Sequence, residues 1–201
     1  MTKTIAITGG IASGKSTLLK ILNELNFPVL SCDEVIREFY QDENIKEKLR
    51  RLIGEEFFSD KIHPDKTKIL ERLVKDETFK RKLEEFFHPL VLKKIQAFVE
   101  ECRDKGEVLA FVEVPLLFEI GWEGYFDEIW VITCSEETQR KRLREKPTWE
   151  LRLKLVEKQL PLSEKIKRAK VVLSSEITLE ELKRRVKDIL KDYLGDLSPQ
   201  R

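Results

Sequence analysis

The chain has 201 residues, enough for one sizeable core or a core with inserted subdomains. Hydrophobic residues make up 41% and charged residues 37%, and the two signs nearly cancel to +1. That balance excludes a nucleic-acid or membrane protein held by bulk charge, and no apolar run is long enough to predict a membrane span.

The first element is "TIAITGGIASGKSTLLK", Thr4 to Lys20. Ile5, Ala6 and Ile7 form a short apolar strand, and Ser16 to Leu25 reads as a helix. Between them, Gly9, four residues and Gly14-Lys15-Ser16 fit the phosphate-loop pattern G-x-x-x-x-G-K-[ST]. Glycines let backbone N–H groups approach phosphate oxygens without an intervening Cβ. The helix that follows aims its positive end at the same anion. Gly10, Ile11, Ala12, Ser13, Gly14, Lys15, Ser16 and Thr17 are therefore expected to cradle a nucleoside triphosphate. Lys15 would reach the β- and γ-phosphates and the Ser16 hydroxyl would ligate Mg²⁺. The chain runs straight into this strand, so no signal peptide is expected.

Phe27 to Ser31 reads as a second strand, followed by Cys32-Asp33. From Glu34 to Arg103 the pattern is helical and charged with no further clear strand, punctuated at Gly54, at Ser59 to Pro64 and at Pro89. "VLAFVEV", Val108 to Val114, "IWVIT", Ile129 to Thr133, and "VVL", Val171 to Leu173, are the remaining strands, continuous apolar runs typical of burial on both faces. Glu136 to Glu145 and Trp149 to Lys158 read as basic helices, and Thr178 to Leu194 as a closing amphipathic helix. Strands alternating with helices predict an α/β fold with a parallel doubly wound sheet of five strands, and the long helical stretch predicts an inserted subdomain. Cys32, Cys102 and Cys134 are few and far apart, which suits a reducing cytoplasm and no metal cluster. Abundant Lys and Glu with scarce Asn and Gln lean towards a thermophile's surface.

In open parallel sheets, ligands sit at the carboxyl ends of the strands. Asp33 follows the second strand, so it should face the same cleft as Lys15, as a group that accepts a proton from an acceptor hydroxyl or that holds Mg²⁺ through water. The alternative is a helix N-cap for the segment starting at Glu34. The N-K-x-D motif of GTPase switches is absent, and the D-x-x-G at Asp192 to Gly195 ends the closing helix instead of following a core strand. "VEVPLLFE" carries Glu113 as its only acid within the strand, with Glu119 after it. This points to a small phosphotransferase.

The sequence resembles the dephospho-coenzyme A kinases. The matching stretches are "ITGGIASGKST", "CDEVIRE", "HPLV", "VPLLFE", Gln139 with Arg142 in "TQRKRL", and "QLPLSEK" before "RAKVVL", in that family's order and spacing across nearly the whole chain. The resemblance implies a P-loop three-layer sandwich whose nucleotide core is 1–33 and 104–201, with a helical acceptor-binding insertion at 34–103 and a small lid at 136–165. It implies ATP-dependent phosphorylation of the 3′-hydroxyl of dephospho-CoA in the cytoplasm, by a monomer or small homo-oligomer with small-molecule substrates only and neither nucleic acid nor membrane as partner. Asp33 looks like the base or orienter of that hydroxyl, Arg37 and His88 like acceptor contacts, and Arg140 and Arg142 like lid residues capping the phosphates.

Three positions depart from that pattern. Ala12 replaces a loop glycine, which suits a negative φ. Lys146 stands where the lid often has an arginine, and cannot make a planar bidentate contact. Ser174 to Glu176 replaces an Asn-containing turn often placed near adenine. His88 beside Pro89 reads equally as a structural histidine at a helix kink. His63 before Pro64 reads as a polar turn, Trp122, Trp130 and Trp149 as packing, and the basic cluster from Arg140 to Lys146 by default as a solvated face. The rivals to the kinase of dephospho-CoA are a nucleoside or nucleoside-monophosphate kinase, and a regulatory ATPase without an acceptor.

Overall fold

A computed structural model describes residues 2–59 and 63–195. In chain order its elements are β1 (Lys3–Thr8), α1 (Lys15–Glu24), β2 (Val29–Ser31), α2 (Cys32–Phe39), α3 (Glu43–Ile53), β3 (Phe58–Ser59), β4 (His63–Pro64), α4 (Lys66–Lys75), α5 (Glu77–Asp104), β5 (Leu109–Glu113), β6 (Glu128–Thr133), α6 (Glu136–Arg144), α7 (Trp149–Glu157), α8 (Leu162–Lys167), β7 (Val171–Ser174) and α9 (Leu179–Leu194). Five strands form one parallel sheet in the order β2-β5-β1-β6-β7. β1 is central, with Ile7 paired to Glu113 on one side and to Trp130 on the other. After β1 the chain builds β2 and β5 on one side of it and then β6 and β7 on the other, so the crevice of such a sheet opens at the carboxyl end of β1.

Strand alternation divides the core into two layers. Ile5, Ile7, Phe111, Trp130 and Ile132 face α1 and α9, where Leu18, Ile21, Leu22, Val186 and Leu190 cover them. Ala6, Val112, Val114 and Val131 face the other way, towards α2 and α5. Both faces are covered, which is why these strands read as continuous apolar runs instead of alternating ones.

α5 spans 28 residues and buries Phe79, Leu83, Phe87, Val91, Ile95 and Val99, one every four residues. The sequence placed punctuation, read also as a helix kink, at Pro89, and α5 runs unbroken through it. Pro89 lies on the exposed side of α5, where the carbonyl it leaves unpaired can meet water. β2 is shorter than predicted, starting at Val29. The tiny antiparallel pair β3–β4 lies within the stretch expected to contain no strand. Of the predicted punctuation at Ser59 to Pro64, residues 60–62 lie outside the described residues. No helix among the described residues is long and apolar enough to cross a membrane, and none of their His, Cys, Asp and Glu residues gather in a metal-holding group of three or more.

Candidate active site

The turn after β1 is built by backbone that only particular residues tolerate. Gly9 has φ +151, and a Cβ there would lie 2.3 Å from the Ile132 carbonyl oxygen. Gly14 has φ +107 and stands immediately before Lys15, the first residue of α1. Ala12 takes φ +61, not the negative φ under which an alanine would sit there without strain, so a side-chain-bearing residue occupies the left-handed region inside the loop. Within the loop, Ser13 N donates to the Gly10 carbonyl at 3.2 Å. Ser13 Oγ is buried without a hydrogen-bond partner among the described residues.

Lys15 is buried, and its ammonium donates to the carbonyls of Gly10 at 2.9 Å and Gly9 at 3.4 Å. Burial lowers its pKa, while the carboxylates of Glu113 and Asp33 pull it back up. Glu113, at the carboxyl end of β5, is itself buried and accepts from the Ser31 hydroxyl at 2.6 Å. Burial pushes its carboxyl upward against the opposing effects of Ser31 and Lys15. The sequence reading noted Glu113 but gave it no role. The signal was there, an acid closing an otherwise apolar strand.

Asp33 sits in the first turn of α2 and is not its cap. Ser31 is the N-cap and accepts from Glu34 N, so the alternative reading of Asp33 as a capping residue is overturned. Its carboxylate lines a cleft of about 1060 Å³ together with the loop from Ile11 to Thr17, Arg37, His88 and Arg142. Arg37 is one turn after Asp33 on α2, is exposed, and donates to the Asp33 carbonyl at 3.4 Å. His88 comes from α5, half-buried, with its ring 5.2 Å from that of Trp122. Burial holds its pKa below the usual histidine value.

Arg142 of α6 reaches back to the phosphate loop. It donates to the Ala12 carbonyl at 3.2 Å, to Ser175 Oγ at 2.7 Å and to the Ser175 carbonyl at 2.9 Å. Gln139, one turn earlier, donates to the Ile11 carbonyl at 2.7 Å. The departing turn at Ser174 to Glu176 therefore lies against the loop, with Ser175 Cβ 2.8 Å from where a Cβ on Gly14 would be. Arg140 is exposed on α6 and does not line the cleft, whereas Lys146 does. Trp130 is fully buried and Trp122 nearly so, but Trp149 is 37% exposed and only partly packed.

One contact escaped the sequence reading altogether. Lys165 of α8 is 1% exposed and lies 2.7 Å from Glu119, which also accepts from Leu160 N. The pair ties the segment before β7 to the loop after β5, beside the cleft. Nothing in the local sequence pairs a residue of α8 with one in the loop after β5.

A phosphate loop between β1 and α1, a carboxylate after β2 and an arginine-bearing helix after β6 define a P-loop kinase. A shikimate kinase from Acinetobacter baumannii shares this fold at 14% identity and a TM-score of 0.53, covering 98% of this chain and 97% of its own. The chain belongs to the dephospho-CoA kinase family, whose model matches residues 3–181. The dephospho-CoA kinase of Agrobacterium fabrum is 35% identical over 191 residues, 93% of this chain and 96% of its own. That of Geobacillus kaustophilus is 33% identical over 197 residues, covering 96% and 98%. Among solved structures, TT1252 from Thermus thermophilus matches with a TM-score of 0.79 at 33% identity, covering 95% and 97% of the two chains. Dephospho-CoA kinase from Campylobacter jejuni matches with 0.68 at 25%, covering 98% and 100%.

Proposed function

We propose that this chain transfers the γ-phosphoryl group of ATP to the 3′-hydroxyl of dephospho-CoA, giving coenzyme A and ADP. The observation that carries the reading, beside family membership, is that Asp33 and Lys15 line one cleft with His88 and Arg37 from the helical segment. Phosphoryl transfer has a loose transition state, so positioning and charge stabilisation matter most. The loop amides of Gly10 to Thr17 hold the triphosphate at the start of α1. Lys15 places its charge on the β- and γ-phosphates. Asp33 orients the acceptor hydroxyl and takes its proton as the oxygen–phosphorus bond forms, and the ADP oxygen leaves with the bond's electron pair. Arg142 adds positive charge at the phosphate loop, where it already meets the Ala12 carbonyl, while Arg140, exposed and outside the cleft, is left out of the phosphate contacts. Arg37 and His88 hold the acceptor.

The oxygen donors at the loop fit Mg²⁺: the Ser16 hydroxyl lines the cleft beside the carboxylates of Asp33 and Glu113. Ser16 would hold it, and the ion would neutralise phosphate charge. We assign 1–33 and 104–201 to the nucleotide core, 34–103 to acceptor binding and 136–165 to a lid. The cleft takes lining residues from all three. Free cysteines and balanced charge suit a cytoplasmic enzyme that is a monomer or small homo-oligomer, with no nucleic-acid or membrane partner.

An acceptor panel tests this. ADP release should require dephospho-CoA and Mg²⁺ and yield coenzyme A. Faster turnover with a nucleoside monophosphate reassigns the acceptor, and ATP turnover indifferent to dephospho-CoA makes the protein an ATPase.

A further inference from the structure

Gln139 of α6 does not line the phosphate cleft, yet it holds the loop that builds one wall of it. Its Nε2 donates to the Ile11 carbonyl at 2.7 Å. Three residues on, on the same face of α6, Arg142 donates to the next carbonyl, that of Ala12, at 3.2 Å. α6 is braced in turn by the segment after β7. The Glu176 carboxylate accepts from Ser135 Oγ at 2.5 Å and from Thr138 Oγ1 at 2.6 Å, at the first turn of the helix. Ser175 Oγ accepts from Arg142. Two consecutive carbonyls of the phosphate loop are thus fixed from outside it, by one braced helix.

We propose that Gln139 is a positioning residue: by holding the Ile11 carbonyl towards α6 it aims the Ala12 N–H at the phosphates bound in the loop. The proposal rests on the reading that this loop binds a triphosphate. The Ile11–Ala12 peptide is trans, and in a planar trans peptide the C=O and N–H point to opposite sides. A carbonyl turned to α6 therefore turns the N–H of the same peptide away from it, and Ala12 lines the cleft. Ala12 at φ +61 occupies a disfavoured region, which persists only where surrounding contacts over-determine it. Released from α6, the peptide can turn and present its carbonyl oxygen, which repels phosphate instead of binding it. Gly10 records the same contact. Its φ lies outside the left-handed region, so the backbone alone does not demand glycine there. A Cβ at Gly10 would lie 2.7 Å from Gln139 Nε2, and among the described residues beyond its chain neighbours only Gln139 comes within 4 Å of it. Glycine at position 10 leaves room for the Gln139 amide.

The experiment measures calorimetric affinity for ATP, inorganic tripolyphosphate and dephospho-CoA in the wild-type protein, Gln139→Ala, Gly10→Ala and the double variant. Gln139→Ala should weaken ATP and tripolyphosphate alike, about tenfold, the scale of one hydrogen bond, and leave the dephospho-CoA affinity unchanged. Gly10→Ala displaces the amide without changing residue 139 and should show the same loss. The double variant should lose no more than either single one, because both substitutions remove one contact. Losses that add in the double variant overturn the proposal, as does an unchanged ATP affinity in Gln139→Ala. A Gln139→Ala protein that binds dephospho-CoA as weakly, relative to wild type, as it binds ATP also overturns it, by making the role of Gln139 merely structural. Should Gln139→Ala fail to fold, wild-type ATP affinity in Gly10→Ala overturns the proposal by itself. Wild-type protein that binds neither ATP nor tripolyphosphate refutes the phosphate-loop reading, a different failure.

Discussion

The Ser31 hydroxyl donates to Glu113 Oε2 at 2.6 Å, joining the ends of β2 and β5 beside Lys15. The register makes this contact: Ser31 is the direct strand partner of Glu113, so the cap of α2 and the acid of β5 arrive at one point. Glu113 is thereby fixed as the carboxylate with the largest effect on the charge of Lys15.

That arrangement sets a pH dependence. Burial lowers the Lys15 pKa and Glu113 raises it, so removing Glu113 lets it fall further. In the proposed reaction Lys15 acts as a cation, and its proton is lost as pH rises through its folded pKa. Glu113→Gln keeps the Ser31 contact but not the charge. The alkaline limb of kcat against pH should move to lower pH, with the acid limb little changed. An unmoved alkaline limb would show that Glu113 does not set the Lys15 charge.

Lys15→Met keeps the aliphatic stem and deletes the ammonium. Its lowered pKa means the fold disfavours the charged form, so the variant should melt no lower than the wild type. Activity should fall by several kcal/mol of transition-state stabilisation, on the order of 10³-fold or more. Steady-state kinetics with a melting curve checks both halves.

Asp33→Asn tests the proposed role of Asp33 on the acceptor apart from the fold. Ser31 caps α2, so the helix should persist. We expect kcat to drop roughly 10²–10⁴-fold, the range for a positioned acid–base group. Calorimetric ATP affinity should hardly change. Lost ATP affinity would move Asp33 to the metal or nucleotide.

The loop offers a matched pair. Ala12 at φ +61 carries a left-handed cost of about 1–2 kcal/mol, partly offset by glycine's extra unfolded-state freedom of about 0.5–1 kcal/mol. Ala12→Gly should therefore stabilise by up to about 1.5 kcal/mol. Gly14→Ala should destabilise by about 1–3 kcal/mol and weaken ATP binding, since its Cβ would meet Ser175 at φ +107. Denaturant melts of both variants read the difference directly.

The sequence by itself determined the parts whose chemistry is local. The phosphate loop was legible because phosphate recognition uses consecutive backbone amides, so its residues are consecutive too. The five strands were legible as apolar runs because both faces of the sheet are covered. The position of Asp33 followed from its place at the end of a strand. The wider family likeness rested on motifs spread along the chain, and the family match bears it out.

Tertiary structure decided everything that depends on register and helix direction. Ser31 joins Glu113 only because β2 is the neighbour of β5 in parallel register. Arg142 meets Ser175, and Lys165 meets Glu119, across turns that no periodicity links. Ala12 at φ +61 departs from alanine's own preference, so its residue type alone did not announce the turn. Pro89 reads locally as punctuation, yet packing of α5 through Phe87 and Val91 holds the helix through it. Residue identity sets what each group can do, but long-range packing sets which groups meet, and neighbouring residues do not encode that distance.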